Sequence, residues 1–128
     1  MKRVLLGLLL VLGVIALGGC AGRELRLGAQ DDGRQVELNV GQTLTISLEA
    51  NPTTGYTWAV QPLEEEILEQ VGKPSYKPSA KRVGAGGTQT FRFRAVAPGK
   101  VELRLIYCQP WAKGQKPAKT FTCYVQVR

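Results

Sequence analysis

Apolar and polar residues alternate along most of this chain beyond residue 35, in runs short enough to be strands. Val36, Leu38 and Val40 alternate with polar residues, and the run ends at Gly41. Leu44, Ile46 and Leu48 repeat the pattern up to Asn51, and Tyr56 to Val60 reads as a third strand. Ile67 to Val71 is short enough to be a strand or one helical turn. Within Gln89 to Ala97, Phe91, Phe93 and Ala95 alternate with Arg92 and Arg94, which gives one dry and one wet face. Val101, Leu103, Leu105 and Tyr107 form the next run, ending at Cys108, and Phe121, Cys123, Val125 and Val127 the last. Pro98-Gly99, between two of these runs, has the residues of a tight type II turn. A period of two repeated with turn residues between is the mark of half-buried strands. No amphipathic helix and no internal repeat accompany it. About seven antiparallel strands in about 100 residues predict an all-β, two-sheet sandwich. Trp58, Phe91 and Phe93 are expected in its core.

The first 35 residues follow another pattern. Lys2 and Arg3 precede an apolar run from Val4 to Leu17. That run is shorter than the roughly 20 residues a membrane-spanning helix needs, and it has the layout of an export signal. It ends Leu17-Gly18-Gly19-Cys20, which resembles a bacterial lipobox. The expectation is a signal peptide over residues 1–19, with Cys20 lipidated as the first mature residue. Ala21 after that cysteine resembles an outer-membrane signal, with the protein facing the periplasm. Residues 20–34 are expected to serve partly as a tether, and residues 35–128 to form the one folded domain. Removing residues 1–19 leaves about 109 of 128, enough for a single small core.

Composition excludes more than it proposes. The formal charge is +7, and the sequence has no histidine. Ser-His and Cys-His nucleophile systems and His-ligated metals are therefore absent. Cys108 and Cys123 alone are too few for a closed structural zinc site. Glu64-Glu65-Glu66 are neighbours in sequence that do not converge on one point, and Asp31-Asp32-Gly33 reads as a turn. The cations are dispersed over strands and loops and explain solubility rather than nucleic-acid binding. Neither an enzyme, a metal nor a cofactor is expected.

Three loops carry the remaining signal. In Asn51-Pro52-Thr53-Thr54-Gly55-Tyr56, Pro52 fixes its own φ and biases Asn51 toward an extended backbone. Thr53 and Thr54 are stiff at χ1, and Gly55 permits positive φ or a close approach by another surface. The segment is uncharged, narrow and suited to insertion into a cleft. Gly84-Ala85-Gly86-Gly87-Thr88 is a short glycine-rich loop. Gln109-Pro110-Trp111 follows a strand, with Trp111 expected to be exposed. In this order the three segments resemble the chagasin family of cysteine-peptidase inhibitors over roughly Gln35 to Arg128. The family pattern has arginine where this chain has Gln109.

The resemblance implies an immunoglobulin-like sandwich with the three loops at one end, acting as a wedge. It implies a monomeric, reversible, non-covalent inhibitor of papain-like cysteine peptidases. Asn51 to Tyr56 would cover the catalytic cysteine, with Thr53 and Thr54 hydrogen-bonding in the cleft. Gly84 to Thr88 would lie on the non-primed side, and Trp111 on the primed side. The competing reading is a structural or ligand-binding envelope lipoprotein with the same kind of sandwich and no inhibitory activity. Export also favours a disulfide between Cys108 and Cys123. Pairing them directly mixes the faces of the two strands, so the bond requires a bulge.

Overall fold

The computed structural model describes residues 24–79, 86–112 and 114–128. Residues 1–19, expected to be an export signal, and Cys20 lie outside the described residues. Among the described residues, nine strands build two sheets. In chain order they are β1 (Glu24–Leu27), β2 (Gln35–Leu38), β3 (Thr43–Ala50), β4 (Thr57–Val60), β5 (Leu68–Gln70), β6 (Ser75–Pro78), β7 (Gly87–Ala95), β8 (Gly99–Cys108) and β9 (Lys119–Val127). One sheet runs β1-β3-β7-β5, with β6 also on β7, and the other runs β2-β9-β8-β4.

This is the expected all-β, immunoglobulin-like sandwich, with more strands and two parallel pairings. β1 runs parallel to β3 and β2 parallel to β9; the remaining pairs are antiparallel. β1 comes from the segment expected to act partly as a tether. Glu24 accepts a hydrogen bond from the Thr45 hydroxyl, and Arg26 pairs with the same carboxylate at 2.7 Å. These contacts, the Thr45 hydroxyl above all, hold the Glu24 carboxyl below its ordinary range. β6 comes from the segment around Tyr76, between Pro74 and Ser79. It pairs with the first half of β7 while β5 pairs with the second half.

The core is what the alternation requires. Leu44, Ile46 and Leu48 of β3 and Phe91 and Phe93 of β7 face Leu103, Leu105, Phe121, Cys123 and Val125 of the other sheet, and all are buried. Trp58 is buried too, and its indole N–H donates to the Glu49 carbonyl at 2.8 Å. Pro98-Gly99 departs from the expected type II turn. Gly99 has φ +143 and already opens β8, whereas that turn needs φ near +80.

The disulfide is the expectation that the structure overturns: Cys108 and Cys123 are both free thiols. The β8–β9 register sets Cys123 beside Leu103, while Cys108 sits beside Thr57 of β4. Five residue steps, roughly 17 Å, separate Cys108 from Leu103 along β8. The two side chains also lie on opposite faces. Cys123 is fully buried, and Cys108 follows the inward Tyr107 and turns outward. No bulge reconciles them, because the register is set by Leu105 opposite Phe121 and Val101 opposite Val125.

Burial pushes the Cys123 thiol up to about 11, from 9.0. The unfolded chain loses this proton first, so Cys123 lowers stability as pH rises from 9 towards 11. We expect Cys123→Ala to flatten that part of the alkaline stability profile, measured by denaturant titration at each pH. In the native protein a thiol reagent should reach Cys108 and not Cys123, and in denaturant it should reach both. A bonded pair would leave both unreactive.

Candidate functional site

Register alone brings the three loops together. Ala50 pairs with Gly87, Thr57 with Cys108, and Tyr107 with Lys119. The β3–β4 loop, the start of β7 and the β8–β9 loop therefore share one end of the sandwich. Asn51 through Tyr56, Gly86, and Gln109 through Trp111 all lie there. Gly84 and Ala85 lie outside the described residues.

The Asn51 loop is a short, fully folded 3-10 turn over Pro52–Thr54. Asn51 caps it, its side-chain carbonyl accepting from the Thr53 N–H at 3.3 Å and from the Thr53 hydroxyl. Pro52 occupies the first helical position, where its missing N–H costs nothing. Thr54 donates twice to the Asn51 carbonyl, from N–H at 3.1 Å and hydroxyl at 2.7 Å. Gly55 ends the turn at φ +85, a left-handed position that favours glycine, and its N–H donates to the Pro52 carbonyl at 2.9 Å. Both threonine hydroxyl protons are thus committed inside the loop. Towards a partner, Thr53 and Thr54 can offer their hydroxyls as acceptors, which narrows the role expected for them.

Tyr107 holds this loop to the sheet beneath. The Asn51 N–H donates to the Tyr107 hydroxyl at 2.9 Å. The Tyr107 ring stacks on Tyr56, with centroids 5.4 Å apart, and tilts against Trp58 at 5.0 Å. Lys119 places its ammonium 5.5 Å above the same ring. Gln89 adds a second tie between the sheets, its side-chain carbonyl accepting from the Trp58 N–H at 2.9 Å and the Thr57 hydroxyl at 3.2 Å. Sequence reasoning assigned neither Tyr107 nor Gln89 to the site. Tyr107 occupies an ordinary inward position of the β8 alternation, and only its hydroxyl, close to a loop distant in sequence, sets it apart.

Trp111 is 68% exposed, as expected for a loop anchor, and Trp58 is only 7% exposed. Trp111 also touches the first loop. A Cβ placed on Gly55 would come 2.3 Å from the far edge of its indole. Gly55 is therefore a glycine for two reasons, its φ and the ring laid against it, and the first and third loops form one body.

The glycine-rich segment divides differently from expectation. Gly86, at φ +74, packs against the Ala50 carbonyl at the base of the first loop. Gly87 and Thr88 belong to β7. Gly87 is buried, and a Cβ there would meet the Lys77 carbonyl at 2.3 Å and the Tyr76 hydroxyl at 2.7 Å. Its missing side chain admits strand β6 rather than an outside partner. A shallow groove lined by Asn51, Gly86, Gly87, Tyr107 and Lys119 lies between the loops.

Among the described residues, the first and third loops thus form one preformed, projecting end. The sequence profile of the chagasin family of peptidase inhibitors matches residues 37–125. The chain belongs to the chagasin family. Its sequence is 30% identical to chagasin of Trypanosoma cruzi over 99 residues, covering 74% of this chain and 90% of that protein. The cysteine protease inhibitor EhICP2 of Entamoeba histolytica has the same fold, with a TM-score of 0.73 over 82% of this chain and 96% of that one, at 22% identity. PbICP-C, solved in complex with falcipain-2, aligns over 84% of this chain and 91% of its own, with a TM-score of 0.55 at 22% identity. Membership of this family places the chain among inhibitors and not enzymes.

Two variants test the geometry. Tyr107→Phe keeps the ring and removes the acceptor of the Asn51 N–H. It should cost about 0.5–1.5 kcal/mol and speed hydrogen exchange at the Asn51 amide while core amides stay protected. Gly55→Ala should displace Trp111, seen as a change in its fluorescence emission with little change in core protection.

Proposed function

We propose that this chagasin-family chain is a reversible, non-covalent inhibitor of papain-like cysteine peptidases that blocks the active-site cleft with its loop end. One observation carries the reading: residues 51–56 form a rigid uncharged turn, braced by Tyr107 below and by Trp111 alongside. The solved complex of a protein with the same fold and falcipain-2 supports the same class of partner. The turn enters the cleft and covers the catalytic cysteine. Its backbone is already hydrogen-bonded to itself, so it presents no extended peptide for cleavage. Gly86 meets the cleft on one side and Trp111 meets an apolar patch on the other. Because the loops are ordered before docking, little conformational entropy is lost on binding, which favours affinity. Gln109, in place of the family arginine, removes a charge from the rim and shifts enzyme preference chiefly through the association rate.

The second part of the proposal concerns location. The lipobox-like Leu17-Gly18-Gly19-Cys20 after a short apolar run supports export, lipidation of Cys20 and residence at the outer membrane facing the periplasm. Cys20→Ser should leave precursor uncleaved or release the protein without lipid; fatty-acid labelling of that variant would contradict this.

Titration of active papain tests the inhibitory reading, with stoichiometric loss of activity expected. Trp111→Ala should weaken inhibition by about 2 kcal/mol, roughly 30-fold, and leave the melting temperature nearly unchanged. Gly55→Glu should weaken it further, since the side chain displaces Trp111 and clashes with the cleft on docking. Trp58→Ala should instead destabilise the fold by about 3–5 kcal/mol. Wild-type inhibition by both loop variants would remove the wedge from consideration.

A further inference from the structure

The strand that opens the described chain fixes which end of the sandwich lies nearest Cys20 in the sequence. β1 begins at Glu24, beside Thr43, and runs parallel to β3. β3 continues to Ala50 and into the Asn51 loop. The start of β1 therefore lies at the end of the sandwich away from the loops, about 24 Å from them for the seven residue steps of β3. β1 is tied into its sheet by the Thr45–Glu24 and Arg26–Glu24 contacts and by buried Leu27. From Cys20 to Glu24 there are four residue steps, which reach no more than about 14 Å when fully extended.

The same end carries two neighbouring turns, 39–42 between β2 and β3 and 96–98 between β7 and β8. The Gly41 N–H donates to the Ala95 carbonyl at 2.7 Å, and the Ala95 N–H donates to the Gln42 carbonyl at 2.9 Å. This sets Val40 and Val96 on adjacent turns, 48% and 41% exposed, with Pro98 exposed beside them. A single exposed valine is unremarkable. Here two share the end at which Glu24 lies, four residues from Cys20 in the sequence, and a bilayer holding Cys20 is the apolar surface within reach.

We propose that the protein stands on its bilayer on the Val40, Val96 and Pro98 end and presents the Asn51, Gly86 and Trp111 loops to the solution on the far side. This rests on the reading that Cys20 is lipidated. The partner of this end is a lipid surface. The consequence is that a membrane-held inhibitor stays as open to a soluble peptidase as a free one, without needing a long linker.

Tryptophan quenching tests the orientation. Full-length lipidated protein is reconstituted in phosphatidylcholine–phosphatidylglycerol vesicles with brominated or ordinary acyl chains. Val40→Trp should gain emission that is lost in the brominated vesicles, while Trp58 and Trp111 of the wild type keep theirs. Papain should be inhibited equally by vesicle-bound protein and by protein in detergent. Quenching of Trp111, loss of inhibition on vesicles alone, or unquenched Val40→Trp in protein carrying the lipid would each overturn the orientation. The mass of the N-terminal peptide separates the two readings. Without a lipid on Cys20, anchor and orientation fall together; with it, an unquenched Val40→Trp sinks the orientation alone.

Discussion

The loop end depends on one buried tyrosine. Tyr107 lies on β8, in the sheet opposite β3, yet its hydroxyl accepts the N–H of Asn51, the residue at which β3 becomes the first loop. Its ring is at the same time the surface on which Tyr56 and Trp58 rest. One side chain thus fixes where the loop leaves its strand and where it re-enters the next. A tyrosine suits this position because its body is apolar enough for the core and its tip can satisfy a backbone donor that would otherwise be buried at a cost. The Gln89 and Trp58 hydrogen bonds repeat the device from one sheet to the other, so the end that must be rigid is where polar bridges cross the core.

From this footing the rest of the wedge follows with few side chains. The Asn51 turn closes on itself through Asn51, Thr53 and Thr54, and Trp111 lies across Gly55. Glycine serves three different ends here. At Gly55 it allows left-handed φ beneath an indole, at Gly86 left-handed φ against the Ala50 carbonyl, and at Gly87 the passage of β6. A surface that is already folded before it meets a partner loses little freedom on docking. That is the physical basis for the proposal that the loops bind as a body rather than as an unfolded peptide.

The larger features of this arrangement were legible in the sequence. Strict alternation in β3, β7, β8 and β9 marked these strands and their dry faces, because a one-residue slip would expose Phe91, Phe93 and Phe121 together; which strands share a sheet came from the structure. The Pro-Thr-Thr-Gly segment and the exposed Trp111 stood out because their residues make poor strands. The illegible parts have particular causes. β1 and β6 are four-residue edge strands, and β6 is exposed at every position, so no alternation marks it. Gly87 sits in a glycine run, and only the crossing of β6 shows that it is buried. The disulfide expectation failed because compartment and count speak for a bond, whereas register decides it: the pairing of Leu103 with Cys123 leaves Cys108 five residues along β8 and on the other face. Tyr107 escaped notice because its role lies in a contact between residues 56 positions apart.

If the preformed loop end alone meets the peptidase, the structure of the complex with active papain will show it. Pro52 to Gly55 should lie over the catalytic cysteine with their 3-10 turn intact, Gly86 and Trp111 on opposite walls of the cleft, and both sheet faces free. A complex formed through a sheet face or through the Val40–Val96 end, or an Asn51 loop unfolded into an extended, substrate-like strand, would contradict it.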